Sequence, residues 1–212
     1  IAPHELAVTH TEKMHVMVID PSLEDYHHVH PEAVGMDGQY FFDFTPALSG
    51  SYKVFTEIVP LRSRRQAIAL SELEVPGRSG IPKFERSTVS LIDGIRFELL
   101  TMPEVLETGR DYRLQLSMTD FEGNAIDLEI VMGARGHMVA FDSVGMGFAH
   151  MHPVGSVASV RTAGIGGGGG FDSGDQGLAF MFNVPNPGWY RLFAQIQVKG
   201  KAIFGRFDLR VE

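Results

Sequence analysis

Frequent turn signals constrain this chain more than any other feature of its sequence. Short runs rich in β-branched and aromatic residues are cut every few residues by Asp20-Pro21, Asp37-Gly38, Asp93-Gly94, Glu122-Gly123-Asn124 and Asn186-Pro187-Gly188. The runs between them predict strands at 15–19, 39–45, 51–58, 67–74, 88–92, 95–100 and 112–119. Further strands are expected at 126–131, 137–141, 178–184, 189–198 and 202–211. No long segment carries a 3.6-residue apolar period, so helices are not expected. Many short strands with close turns predict an all-β fold of two tandem antiparallel β-sandwich units, Ig-like or cupredoxin-like. The tract Val75-Pro76-Gly77-Arg78-Ser79-Gly80-Ile81-Pro82 lacks periodicity and reads as a linker. The expected division is a first unit at 1–76, a linker at 77–85 and a larger second unit at 86–212. Gly164–Gly170 reads as a plain loop, since no Gly-Lys-Ser/Thr follows it.

Composition removes several functions. Asp plus Glu number 26 against 18 Lys plus Arg, a net charge of −8, which disfavours nucleic acid or an anionic membrane as partner. No apolar run reaches the ~20 residues of a membrane helix, so no membrane span is expected. With no cysteine, disulfides, thiolate metal sites and blue-copper centres are excluded. A Gly-x-Ser-x-Gly nucleophile elbow is missing as well, and nothing marks an enzyme. The chain opens at Ile1 and reads as mature or trimmed.

Self-comparison reveals a diverged repeat. Lys13–Pro31 aligns without gaps on Arg135–Pro153 at an offset of 122. The only identities are His15/His137, Asp20/Asp142, His28/His150, His30/His152 and Pro31/Pro153. Further on, Phe42, Phe44, Gly50, Tyr52 and Phe55 match Phe180, Phe182, Gly188, Tyr190 and Phe193 at an offset of 138. The second copy therefore carries a 16-residue insertion, which contains the Gly-rich tract. The aromatic matches read as core strands. The histidines call for a different account.

Residues i and i+2 of a strand share a face, so His28 and His30 project together. With Asp20–Asp25 as a turn, a hairpin whose paired residue numbers sum to 45 sets His15 opposite His30, with His28 diagonal. A one-residue slip would turn His15 to the wrong face. The same geometry sets His137 opposite His152, with His150 diagonal. Three imidazoles on a stiff sheet are good ligands for copper or zinc, leaving a fourth position open. The metal-ligand candidates are thus His15, His28 and His30, and His137, His150 and His152, in two surface trios on β-hairpins. Met14, Met17, Met138, Met146 and Met151 stand nearby, and thioether ligation would favour Cu(I). Met17 shares the face of His15, whereas Met151 points away and reads as core. Asp20 and Asp142 are either acceptors for a ring N–H or ordinary turn residues. His27, matched by Ala149, reads as a surface residue; His4 and His10 have no counterpart in the repeat.

The segments Thr9–His15, Asp25–Glu32 and Gly50–Phe55, with Met132–Val139, Ala149–Pro153 and Pro187–Phe193, resemble a family of uncharacterised bacterial exported proteins. The resemblance covers most of the chain, apart from the Gly-rich insertion after His152. It implies a periplasmic, secreted or lipid-anchored protein associated with copper or another heavy metal. Two other readings compete. One is a metal-free extracellular interaction module in which the trios only brace hairpins. The other is a cupin-like metalloenzyme. Cupins want a Glu at least four residues beyond His-x-His and a later His on a distant strand; here Glu32 follows His30 by two, and no later His follows in either unit.

Overall fold

The computed structural model describes residues 1–9, 11–154 and 177–212. His10 and the tract Gly164–Gly170 lie outside the described residues. Among the described residues the fold is all-β apart from a short 3₁₀ turn at Pro3–Glu5, and every strand ladder is antiparallel. No helix among the described residues is long and apolar enough to cross a membrane. The chain divides into two compact units, Ile1–Lys83 and Phe84–Glu212.

The first unit contains β1 (Met14–Ile19), β2 (Tyr26–Val29), β3 (Glu32–Val34), β4 (Gln39–Phe41), β5 (Gly50–Ile58) and β6 (Ala67–Val75). Its main sheet has the order β2-β1-β5-β6, and β3 and β4 form a separate hairpin. One face of the main sheet carries Met14, Val16, Val18, Tyr52 and Val54 into a core closed by Tyr40, Phe42 and Phe44. The expected strand at 39–45 therefore pairs only over Gln39–Phe41; its later aromatics pack as core from unpaired backbone. The first unit thus carries a hairpin and an aromatic strap where a full sandwich would have a second four-stranded sheet.

The second unit contains β7 (Val89–Ile92), β8 (Ile95–Leu100), β9 (Tyr112–Thr119), β10 (His137–Asp142) and β11 (Phe148–Met151). It continues with β12 (Leu178–Phe182), β13 (Gly188–Val198) and β14 (Lys201–Val211). Two four-stranded sheets form, β12-β9-β8-β7 and β11-β10-β13-β14. Phe97, Leu99, Leu114 and Leu116 of the first meet Met138, Leu192, Ile196 and Phe207 of the second in one core. Each such side chain contributes about 1.5–3 kcal/mol when fully buried. Gly205 of β14 is required by this packing: a Cβ there would lie 2.8 Å from the Phe97 ring.

The orders β2-β1-β5-β6 and β11-β10-β13-β14 are the same arrangement, so the repeat is one sheet built twice. Both copies hold the entry to their long central strand with a tyrosine that bonds four residues back. Tyr52 Oη accepts the Leu48 N–H at 3.1 Å, and Tyr190 Oη donates to the Asn186 carbonyl at 2.8 Å. This is the tyrosine corner found in Ig-like sandwiches. Tyr52 also donates to Asp25 at 2.6 Å, beside the Ala47 N–H at 2.7 Å and His27 at 3.0 Å. Burial pushes the Asp25 carboxyl up, but these hydrogen bonds outweigh it and hold it below the usual range. The copies differ at one edge. In β6, Ile68, Leu70 and Leu73 are exposed. Along β14, Ser87 exchanges two backbone hydrogen bonds with Asp208, at 3.0 and 3.1 Å.

Two expectations need correction. The segment 126–131 is not a strand: Ile126 and Leu128 alternate into the core, but the Glu129 N–H bonds the Gln197 carbonyl without a ladder. Its period of two reflects side-chain burial on an extended segment, not pairing. His27 is not simply a surface residue. It lies on the face opposite His28, bonded to Asp25 and edge-on to Phe44 at 5.0 Å between ring centroids.

Candidate metal centre

Each trio is assembled by a hairpin whose turn is set by the repeated aspartate. The Asp20 carboxylate accepts N–H groups of Ser22, Glu24 and Asp25 at 2.8, 2.6 and 2.8 Å, and the Ser22 hydroxyl as well. Leu23 takes a left-handed conformation, φ +57°. In the second copy Asp142 accepts the N–H groups of Met146 and Gly147, each at 2.9 Å, and Gly145 occupies the left-handed position at φ +61°. Of the two roles open to these aspartates, the turn role is the one they play. Asp20→Ala should cost about 2–3 kcal/mol, because the buried Ser22 N–H and the partly buried N–H groups of Glu24 and Asp25 lose their acceptor. Urea unfolding checks this; Asp20→Asn should lose less, and a loss as large as that of alanine would speak against the turn role.

The turn fixes the register. Val16 pairs with Val29 and Met17 with His28, so paired numbers sum to 45, and the same pairing continued sets His15 opposite His30. In the second copy Met138 pairs with Met151 and Val139 with His150, which continues to His137 opposite His152. Within each trio, ring nitrogens, one from each residue, all lie within 4.8 Å of one another. His15 Nδ1 is 3.4 Å from His28 Nε2 and 3.0 Å from His30 Nε2. Ring centroids stand 5.6, 4.7 and 5.3 Å apart in the first trio and 5.7, 4.9 and 4.5 Å in the second. These are not the surface clusters expected from sequence. His15 and His137 are each 1% exposed, and the other four are partly buried.

Backbone carbonyls fix the tautomer of the buried imidazoles. His15 Nε2 lies 3.0 Å from the Thr9 carbonyl, and His137 Nε2 lies 3.0 Å from the Val131 carbonyl. A carbonyl only accepts, so Nε2 carries the proton and Nδ1 presents its lone pair. Each carbonyl is six residues upstream of its histidine and sits in a tight turn. Thr9 and Glu12 exchange two backbone hydrogen bonds, as do Val131 and Ala134. Thr11 in the first turn and Met132 and Gly133 in the second have positive φ. This outer support is held by backbone alone, so side-chain identity could not reveal it.

The nitrogens of the first trio are spaced closely enough to share one ion. A tetrahedral ion bonded at 2.0–2.1 Å to imidazole separates its ligands by about 3.3–3.4 Å. In the first trio the separations of 3.0 and 3.4 Å from His15 Nδ1 lie close to that value. Sulfur plays a smaller part than the sequence suggests. Met14, Met138 and Met151 belong to the apolar cores, and Met146 is exposed. Met17 pairs with His28, but its counterpart beside His150 is Val139. Thioether donors are therefore not a repeated feature.

Two further residues, which no histidine motif marks, flank the trios on their other side. Glu57 pairs with His15 across the β1–β5 ladder, and Gln195 pairs with His137 across β10–β13. Both are buried. The offset of 138 that aligns the aromatics also aligns this pair, and extending it by two residues finds them.

Residues 88–212 match DUF8832, a domain of unknown function, and the chain belongs to that family. The match spans nearly all of the second unit, including its trio, and leaves the first unit outside. No curated protein matches the chain. Among solved structures it is similar to FdeC, a broadly conserved Escherichia coli adhesin, at 14% identity and a TM-score of 0.32. That alignment covers 95% of this chain and 54% of the FdeC chain, so this chain spans about half the length of its structural relative.

Proposed function

We propose that this is an exported metal-binding protein that holds copper or zinc at its two histidine trios. One observation carries the reading: the same convergence of three imidazoles, with the same backbone-fixed tautomer, is built twice while most surrounding residues differ. Three neutral imidazoles with no repeated sulfur suit Zn(II) or Cu(II) better than Cu(I). A site without cysteine also keeps its ligands in the oxidising setting that the family resemblance implies. A ring–ring hydrogen bond also fits the 3.0 Å between His30 Nε2 and His15 Nδ1, and this favours the metal-free interaction module as the second reading.

Titrating chelator-stripped protein with Zn(II), Cu(II) and Cu(I), while following metal content and melting, separates the two. The metal reading expects retained metal approaching one ion per trio. It also expects stabilisation of about 2.7 kcal/mol at a free metal concentration 100-fold above Kd. His28→Ala/His30→Ala should remove uptake at the first trio and leave the far-UV spectrum unchanged. Uptake undiminished by that double substitution would sink the site assignment, and no retained metal would leave the interaction module standing.

A further inference from the structure

The two trios match in histidines and differ in charge. Glu57 leaves the sheet on the face of His15, directly across the ladder, and is buried. Glu12 approaches from another side, its Oε1 4.0 Å from His30 Nδ1, the ring nitrogen other than the one that meets His15. The matching positions of the second copy are Gln195 and Ala134, which carry no charge. The neighbour that faces His137 across the ladder is thus an amide, not a carboxylate.

We infer that the trios are unequal metal sites: the first is a carboxylate-supported site that takes a divalent cation first, and the second, with Gln195 where the first has Glu57, fills later. This rests on the metal reading above. Two effects point the same way. A carboxylate beside the outer nitrogen of a ligating imidazole orients the ring and raises its basicity, and losing such a partner typically costs 10–100-fold in metal affinity. A buried negative charge near the ion also attracts it with little screening by water, and twice as strongly for a dication as for a monocation. The buried Glu57, with the half-exposed Glu12 farther out, therefore raises the affinity of the first trio and its preference for Zn(II) or Cu(II) over Cu(I).

Zn(II) titration against a competing chromophoric chelator tests this on the full chain. His150→Ala/His152→Ala reports the first trio, and His28→Ala/His30→Ala reports the second. The first is expected to bind at least about 10-fold tighter. Glu57→Gln, which keeps the side-chain shape, should weaken the first trio about 10-fold. The reciprocal Gln195→Glu should strengthen the second, and it reads the same effect as a gain if Glu57→Gln folds poorly. Equal affinities in the two double variants would overturn the inequality while the metal reading stands. So would complete loss of uptake in either double variant when the unaltered chain still binds. No uptake by the unaltered chain would overturn both.

Discussion

Asp208→Ala is expected to destabilise the second unit by about 3–5 kcal/mol, the largest loss from any single substitution considered for this chain. Arg191 and Asp208 face each other across β13 and β14 and bond twice, Nε to Oδ1 at 2.7 Å and Nη2 to Oδ2 at 2.8 Å. Arg191 is 1% exposed, and its guanidinium lies 5.0 Å from the Phe84 ring centroid, with Phe84 stacked on Trp189. Removing the carboxylate takes two charge-assisted hydrogen bonds and the facing counter-charge from a buried cation, which costs far more than the intact pair contributes. The melting temperature should fall by on the order of 10 °C. Arg191→Met/Asp208→Leu, which removes both charges, should lose much less than Asp208→Ala alone. Urea unfolding of the three variants checks the order. A loss below about 1 kcal/mol for Asp208→Ala would mean that water reaches the guanidinium and that the burial argument fails.

That ion pair shows where sequence reading stops. Its counterpart in the first copy is Lys53 paired with Glu72 across β5 and β6, with Glu72 exposed. Opposite charges at matching positions are legible once the repeat is aligned. Their burial is not, because it depends on Phe84 and Trp189, which have no part in the aligned motif. The strands and their antiparallel order follow from period-two patterning and turn residues, which act locally. The segment 126–131 carries the same pattern and makes no ladder, because alternation records which side chains are buried, not whether the backbone finds a partner. The trio is legible for a related reason. Asp20 sets the turn, the turn sets the register, and the register brings His15, His28 and His30 together. The carbonyls of Thr9 and Val131 are invisible to any comparison of side chains. Glu57 escaped because it joins the trio from the far side of β1, through a strand about forty residues downstream.

The histidines of one trio should separate by stability even though they act together on metal. In chelator, His15→Ala is expected to cost about 2–4 kcal/mol, since it empties a buried volume and removes the donor to the Thr9 carbonyl. His28→Ala and His30→Ala should each cost less than about 1 kcal/mol, because both rings are partly open to solvent. Metal uptake should follow a different order, since losing any one of three ligands disables the first trio. If the trio only braced its hairpin, stability would be the sole readout, and zinc would shift no variant and no parent. If it is a metal centre, zinc should stabilise the parent by an amount that grows with the logarithm of free metal, and none of the three variants should show that gain at the first trio. His15→Ala and His28→Ala with equal costs in chelator would remove the basis for treating His15 as the backbone-anchored member. Unequal costs together with equal loss of metal would tie that anchor to the fold and the convergent nitrogens to the ion.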